Sequence, residues 1–192
     1  DGWKAGDIQW PYPKPLPIGP LMNFGYQDEV SLPIDISVPA TAAAGEAVIL
    51  GADLMYLVCT DESGVCVPEE SHVSVPLSVA ASALPPDAKS AGLFLDARAK
   101  LPHKSPWKAV YDAGDKRFAL LIESPELANA HPREVAFYPY ADGFVEAAAP
   151  QATGTSDKGF VIQSMPGYKL ATKEKRERVG SLQGLLVLTG AD

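Results

Sequence analysis

The two cysteines of the chain lie seven positions apart, at Cys59 and Cys66. Gly64 and several polar residues between them allow the chain to reverse, so the two sulfurs can meet at the mouth of a hairpin. Such a pair either staples the fold as a structural disulfide or alternates between dithiol and disulfide by exchange with other thiols. Because two cysteines cannot complete a four-ligand zinc site and no histidine lies close by, we predict no metal site and no cofactor.

The residues around the cysteines are acidic. Asp61 and Glu62 lie between them, and Glu69 and Glu70 follow shortly after. Nearby anions disfavour the thiolate and raise the pKa of a thiol, and no lysine is present here to offset them. This pattern predicts a dithiol that attacks slowly and acts as a relay, attacked and reduced by a better thiolate.

The structural alternative stays open at this point. Closing so small a loop stabilises a fold by about 2–3 kcal/mol, which is a modest contribution for a domain with this much apolar content. A non-catalytic binding or assembly module with a structural disulfide is therefore the second hypothesis.

Strands are expected to position the pair. Residues 31–38, 48–58 and 72–79 alternate apolar and polar side chains, and the second of these runs ends at Cys59. The alternation predicts that one side of each strand faces inward, through Leu50, Ala52, Leu54, Tyr56 and Val58 on the middle strand and Val73, Val75, Leu77 and Val79 on the third.

The rest of the chain is also rich in strand and turn signals, with 18 prolines and 16 glycines that interrupt helices. The proline-rich residues 8–17 predict an extended segment, residues 19–25 a loop and residues 90–100 a helix. We predict an all-β protein, with a first sandwich over 1–82, a boundary at Pro85-Pro86 and a second β-rich domain over 86–192. Its strands are expected at 118–123, 134–140, 143–147, 159–164 and 182–189.

Charge and hydropathy exclude two other classes of protein. The net charge is −8, and the one basic run, residues 173–178, is interrupted by acids, so no positive stripe exists that could follow a nucleic-acid backbone. No stretch of the sequence approaches the 18 or more apolar residues of a membrane helix.

Four features, in this order, resemble the N-terminal periplasmic domain of DsbD-type thiol:disulfide interchange proteins. They are a Gly-Tyr pair, a Leu-Pro strand, an aromatic residue just before a cysteine, and a Cys-x-Pro-Glu. They occur here as Gly25-Tyr26, Leu32-Pro33-Ile34, Leu54-Met55-Tyr56-Leu57-Val58-Cys59 and Cys66-Val67-Pro68-Glu69-Glu70. The strong resemblance covers residues 8–80.

The second half is similar to the longer ScsB (suppressor of copper sensitivity) branch of that family, whose name connects it with copper tolerance. The similarity lies in Phe137-Tyr138-Pro139-Tyr140-Ala141-Asp142-Gly143 and in Ala149-Pro150-Gln151.

The resemblance implies an immunoglobulin-like β-sandwich in which Cys59 and Cys66 are the redox cysteines of an oxidoreductase domain. The chain would then be the periplasmic, soluble portion of a larger inner-membrane protein. It would receive electrons through a thioredoxin-like domain of that protein and pass them to oxidised periplasmic thioredoxin-fold proteins. By analogy with the family, Cys66 forms the mixed disulfide with the partner.

The family also shields its disulfide with an aromatic residue on a cap loop, which by order along the chain falls within residues 17–24. This sequence departs from the family there, since it is proline-rich and lacks the acidic-aromatic motif. Leu21, Met22 and Phe24 are the candidates for shielding. Tyr56, three residues before Cys59, is a candidate for packing against the sulfurs or hydrogen-bonding near them, or else a core tyrosine.

Overall fold

The structure is a computed structural model of the chain. It describes residues 2–19, 21–60, 64–130, 132–156, 158–178 and 180–190, and of residues 128–130 the backbone alone. Strands hold far more of the described residues than helices do, so the fold is all-β, as predicted, and its several sheets are consistent with an immunoglobulin-like, multi-domain arrangement. The strands are β1 (Lys4–Ile8), β2 (Lys14–Ile18), β3 (Leu21–Gly25), β4 (Ile34–Ser37), β5 (Ala47–Cys59), β6 (Cys66–Ser78), β7 (Lys108–Ala113), β8 (Phe118–Glu123), β9 (Glu134–Pro139), β10 (Ala152–Ser156), β11 (Gly159–Ser164) and β12 (Gly184–Thr189), and the helices are α1 (Ala88–Ala99), α2 (Pro125–Ala130) and α3 (Lys173–Glu177).

The chain divides into two compact units. The first contains Asp1–Pro11 and Tyr26–Leu101, and the second contains Tyr12–Gly25 and Pro102–Asp192. The predicted division at residues 82–86 differs from this grouping in two respects, because α1 belongs to the first unit and the segment Tyr12–Gly25 to the second. The boundary of two evolutionary domains near that point stays a prediction.

The first unit consists of two antiparallel strand pairs, β1 with β4 and β5 with β6, followed by α1. Helix α1 confirms the prediction for residues 90–100. Asp87 caps its N-terminus by accepting a 3.0 Å hydrogen bond from the Ser90 N–H. A hydrogen bond with the Ser90 side chain and, second, this bond from the N–H lower the pKa of Asp87. The helix ends at Ala99, and beyond it the N–H of Lys100 donates to the carbonyl of Ala97 and the N–H of Leu101 to that of Arg98.

The apolar face of the β5–β6 hairpin is not inward, contrary to the prediction. Leu54, Tyr56, Val73 and Val75 are 40%, 46%, 50% and 52% exposed. The alternation correctly identified the side chains that share a face, but in the described chain this sheet has just two strands and no second sheet covers it. Periodicity reports which side chains point the same way and not what packs against them.

The second unit contains the apolar core. Its main sheet has the antiparallel order β10-β11-β8-β7, and β8 alternates buried and half-buried residues along its whole length. The rings of Tyr111, Phe118 and Phe137 stack in series, with centroid separations of 6.1 and 6.4 Å. The remaining buried members of the core are Leu120, Ile122, Leu127, Val135, Phe144, Val145, Phe160, Ile162 and Leu170.

Two strand pairs complete the second unit, β9 with β12 and β2 with β3. The β2–β3 pair corrects the prediction of a loop over residues 19–25. Its strand β2 contains Pro15 and Pro17, two positions apart and therefore on one side of the ladder. A two-stranded ribbon leaves one side of each strand unpaired, so prolines are tolerated there without loss of a ladder hydrogen bond.

Residues 143–147 are also not a strand, because Val145 forms an isolated bridge to Pro166 and pairs no further. Gly143 has a positive φ of 74° and lies against the Tyr168 ring, which turns the chain before a strand can start. None of the helices in the described ranges combines the length and the apolar character that a bilayer crossing requires.

Candidate functional site

Cys59 and Cys66 form a disulfide at the end of the β5–β6 hairpin. The two strands pair without interruption from Ala47 opposite Ser78 to Cys59 opposite Cys66. The two cysteines face each other directly across the ladder, with their Cα atoms 4.0 Å apart. The disulfide therefore joins two positions that strand pairing already holds together.

The hydrogen-bond pattern explains why the cysteines approach so closely. Beyond them, the N–H of Thr60 donates to the carbonyl of Val65 over 3.1 Å. Directly opposed pairs in an antiparallel ladder alternate between hydrogen-bonded and non-hydrogen-bonded, and the second kind brings Cα atoms closer together. Cys59 and Cys66 are a pair of the second kind, which suits a cross-strand disulfide.

The chain reverses at Gly64, as the sequence indicated. Gly64 has a φ of 62° and donates its N–H to the carbonyl of Thr60 over 3.0 Å. A residue with a Cβ is disfavoured in this left-handed region, so glycine closes the turn at little cost. The expected acidic neighbours Asp61 and Glu62 lie outside the described residues.

Both cysteines are exposed residues. The side chains that share their face on neighbouring positions are Leu57 opposite Pro68 and Met55 opposite Glu70. Leu57 is 66% exposed and Met55 is 78% exposed, so the disulfide borders an open apolar surface. A thiolate from another molecule can reach such sulfurs, and the flanking apolar area is a contact surface for it.

Further along the same face, Asp53 and His72 form a 2.7 Å pair between Oδ1 and Nδ1, with both side chains mostly exposed. A shallow depression of about 380 Å³ is lined by these two residues together with Leu54, Met55, Glu70 and Ser71. Asp53, Met55 and His72 were not predicted to share the face of the disulfide. The sequence could have predicted this, because odd-numbered positions of β5 and even-numbered positions of β6 lie on the same face of the hairpin as the two cysteines.

Tyr56 lies on the opposite face of the hairpin from the disulfide, because it is an odd number of residues from Cys59. Its hydroxyl forms a 3.2 Å hydrogen bond with the Ser71 hydroxyl on the neighbouring strand. The structure thus does not bring Tyr56 to the sulfurs. Its hydrogen bond instead links strand β5 to strand β6.

Leu21, Met22 and Phe24, the candidates for shielding, all lie on β3 of the second unit. Phe24 packs edge-on against the ring of Tyr138, with 5.1 Å between the centroids. Leu21 is 67% exposed and Phe24 is 45% exposed, and Met22 is opposite Pro17. A shielding role for these residues stays a prediction.

The acidic side chains Glu69 and Glu70 are exposed on β6, one on each face of the hairpin. Across the described ranges, no group of three or more histidine, cysteine, aspartate or glutamate side chains is arranged to hold a metal ion.

Comparison with known proteins gives one family. No curated protein and no solved structure matches the chain. Residues 1–78 match the model of the family described as Thiol:disulfide interchange protein DsbD, N-terminal. The match includes both cysteines and the whole β5–β6 hairpin, and it supports a DsbD-type N-terminal domain in this part of the chain.

Proposed function

We propose that the protein is a periplasmic thiol–disulfide exchange domain that relays electrons between other thiol proteins. The observation that carries the proposal is the exposed Cys59–Cys66 disulfide at the end of the β5–β6 hairpin, within the part of the chain that matches the DsbD N-terminal model. The family match and the disulfide together indicate thiol–disulfide exchange in general. The direction of electron flow, the partner proteins and the periplasmic location are parts of the proposal.

The relay takes two balanced exchange steps. A thiolate of the electron donor attacks one sulfur of the disulfide, the S–S bond breaks, and the other cysteine leaves as a thiolate. The second thiol of the donor then resolves the mixed disulfide, which leaves Cys59 and Cys66 reduced and the donor oxidised. In the second step the reduced pair repeats this chemistry on the disulfide of an acceptor, transferring two electrons and two protons in all.

The donor in this proposal is a thioredoxin-like domain of the same, larger membrane protein, and the acceptors are oxidised thioredoxin-fold proteins of the periplasm. The similarity of the second half to the ScsB branch supports placing the chain in a protein of that type. A role in copper tolerance is part of the same proposal.

The reduction potential of the Cys59–Cys66 pair tests the proposal. The protein is equilibrated with glutathione or dithiothreitol buffers, and its free thiols are trapped and counted. We expect a potential well above about −300 mV, in the range of exchange proteins. A potential below that value would identify a structural staple, and the binding or assembly module would replace the relay.

The two cysteines are expected to differ in role, with Cys66 forming the mixed disulfide. The Cys59→Ser variant should therefore accumulate a mixed disulfide through Cys66 when mixed with an oxidised thioredoxin-fold protein. The Cys66→Ser variant, which has the same number of thiols, is the matched control and should accumulate little. Non-reducing electrophoresis measures both, and equal trapping by the two variants would contradict the assignment.

A further inference from the structure

The two outer edges of the β5–β6 hairpin differ in whether their backbone N–H groups can pair with a further strand. Hydrogen bonds at both ends of the hairpin, from Val79 N–H to the Glu46 carbonyl and from Thr60 N–H to the Val65 carbonyl, fix which residues face the partner strand. Even-numbered residues of β5 direct their N–H and C=O groups toward β6. Odd-numbered residues, from Ala47 to Cys59, direct these groups outward.

On β6 the outward-facing residues are the even-numbered ones. They include Pro68 and Pro76, which have no N–H to offer, together with Glu70. Prolines and charges are the usual devices that keep an edge strand from pairing with another chain. The outer edge of β6 is therefore blocked at two of its positions.

Along Ala47–Cys59 the outer edge of β5 has one of these devices, the charge of Asp53. The strand has no proline and no lysine, its register has no bulge, and Asp53 is its one charged residue. In the described part of the chain β5 pairs with β6 and with no other strand. Its outward N–H and C=O groups are available to a further strand from end to end.

Cys59 is the last residue of this open edge. We propose that the outer edge of β5 accepts an extended segment of the thiol protein that reacts with the disulfide. Strand addition there would fix the incoming backbone directly beside the Cys59–Cys66 bond. This inference rests on the proposed function, to which it adds the way a partner docks.

The chemistry of the edge defines the segment that fits. Val58, Tyr56 and Leu54 form the apolar face of β5, so an added strand with apolar side chains at alternate positions would continue that face. Proline is excluded from the positions that face β5, because each such position must donate its N–H. The segment is thus an extended, alternating apolar and polar strand.

A second copy of this chain is a poorer occupant than a partner segment. Asp53 is the midpoint of β5, so antiparallel pairing of two complete β5 strands sets Asp53 opposite its twin. Like charges directly opposite each other destabilise a strand pair.

The test uses the full chain and a synthetic probe, a capped peptide of alternating valine and threonine that ends in cysteine. Its control is the same peptide with every valine and threonine amide N-methylated. At equal thiolate concentration, we expect the unmodified peptide to form the mixed disulfide about tenfold faster, a difference equivalent to about 1.4 kcal/mol. Equal rates for the two peptides would overturn the proposal.

Met55 and Glu70 provide matched variants, because they are cross-strand partners on opposite outer edges. Met55→Pro removes an outward N–H of β5 and should reduce the rate of the unmodified peptide to that of the methylated one. Glu70→Pro makes the same change on β6 and should leave the tenfold difference intact. An equal loss in both variants would refute edge pairing, and the two-peptide comparison on the unaltered chain holds even if a proline variant fails to fold.

Three further measurements test what occupies the outer edge of β5. A dimer in sedimentation that Met55→Pro dissociates and Glu70→Pro does not would replace the partner segment by a second copy. Slow amide exchange at the odd-numbered residues from 49 to 57 in the isolated chain would show that the outer edge is already covered, which also overturns the proposal. A cysteine-free peptide that shifts the β5 amide resonances would support edge pairing even if the reduction potential eliminated the relay.

Discussion

The carboxylates near the cysteines decide how readily the reduced pair attacks. Glu69 and Glu70 are exposed on the strand that starts at Cys66, and Asp61 and Glu62 lie in the connecting loop by sequence. A nearby anion makes a thiolate less favourable relative to the thiol, so we expect these carboxylates to make the reduced pair a slower attacking group. We expect the disulfide of such a pair to be attacked by a partner thiolate more readily than the reduced pair attacks a partner disulfide.

The pH dependence of alkylation tests this effect. In the reduced protein, we expect the rate of reaction with iodoacetamide to rise with pH no earlier than the rate for a free thiol measured beside it. The Glu69→Gln/Glu70→Gln variant should have a lower thiol pKa and react about twofold faster near pH 7, a small change because water and salt screen exposed charges. The control is Glu146→Gln, an exposed site in the second unit.

A thiol pKa well below that of a free cysteine in the unaltered protein would contradict the relay mechanism. The pair would then be the attacking group, and the acidic residues would need another role.

Among the secondary-structure elements, two antiparallel strand pairings depend on a glycine with a positive φ. Gly64 closes the disulfide hairpin, and Gly159 begins β11 with a φ of 147°. A Cβ on Gly159 would fall onto the carbonyl of Ile122 on the neighbouring strand β8 and 2.9 Å from the nitrogen of Ser124, the residue after that strand. The pairing of β11 with β8 therefore depends on the absence of a side chain there.

Gly159→Ala should destabilise the second unit by about 2–4 kcal/mol, because the alanine must displace backbone and adopt a disfavoured φ. Gly154→Ala on β10 is the matched control, since a Cβ there meets nothing within 4 Å. Urea unfolding of the two variants gives the comparison. Equal stability would show that the β8–β11 pairing adjusts to the added methyl group.

The elements that the sequence predicted well are those with a strong local pattern. Strands β8 and β11 have the predicted bounds, and α1 agrees within two residues with the predicted helix. Strand β2 lies mostly within the proline-rich segment that was predicted to be extended, whereas β3 was wrongly predicted as part of a loop over residues 19–25. Strands β7 and β10 were not predicted, although each extends the main sheet.

The candidate site was partly predictable for a related reason. Two cysteines separated by a turn predict a hairpin disulfide, and alternation predicts which side chains share its face. The exposure of that face and the location of Phe24 against Tyr138 depend on contacts between residues distant in sequence. Local patterns contain no information on such contacts.

For the whole molecule, apolar burial is concentrated in the second unit. In the described residues the first unit buries Pro11, Pro33 and Ala97, whereas the second buries the aromatic and aliphatic cluster around Phe118. The first unit is held mainly by strand pairing, helix capping and the disulfide. The second unit is the larger source of folding free energy, at about 25 cal/mol per Å² of apolar area removed from water.

Phe118→Ala should lower the free energy of unfolding of the second unit by about 3–5 kcal/mol, since Phe118 is fully buried between Tyr111 and Phe137. Fluorescence of Trp107, which packs against this core, can follow urea unfolding. Tyr140→Ala, at a 69% exposed site of the same unit, should change stability by about 0.5 kcal/mol or less. A small effect of Phe118→Ala would mean that the core is not the main source of stability.

The direct opposition of Cys59 and Cys66 in the ladder determines what the proposed redox cycle would do to the hairpin. Reduction would release a loop whose two ends remain held by the cross-strand hydrogen bond beyond them, from Thr60 to Val65. The oxidised and reduced chains would then expose the same backbone to proteases, and neither state would need a chaperone to return to the other. We therefore expect a protease to digest the hairpin at the same rate with and without reductant. Equal rates would show that reduction of the disulfide leaves the structure of the hairpin unchanged.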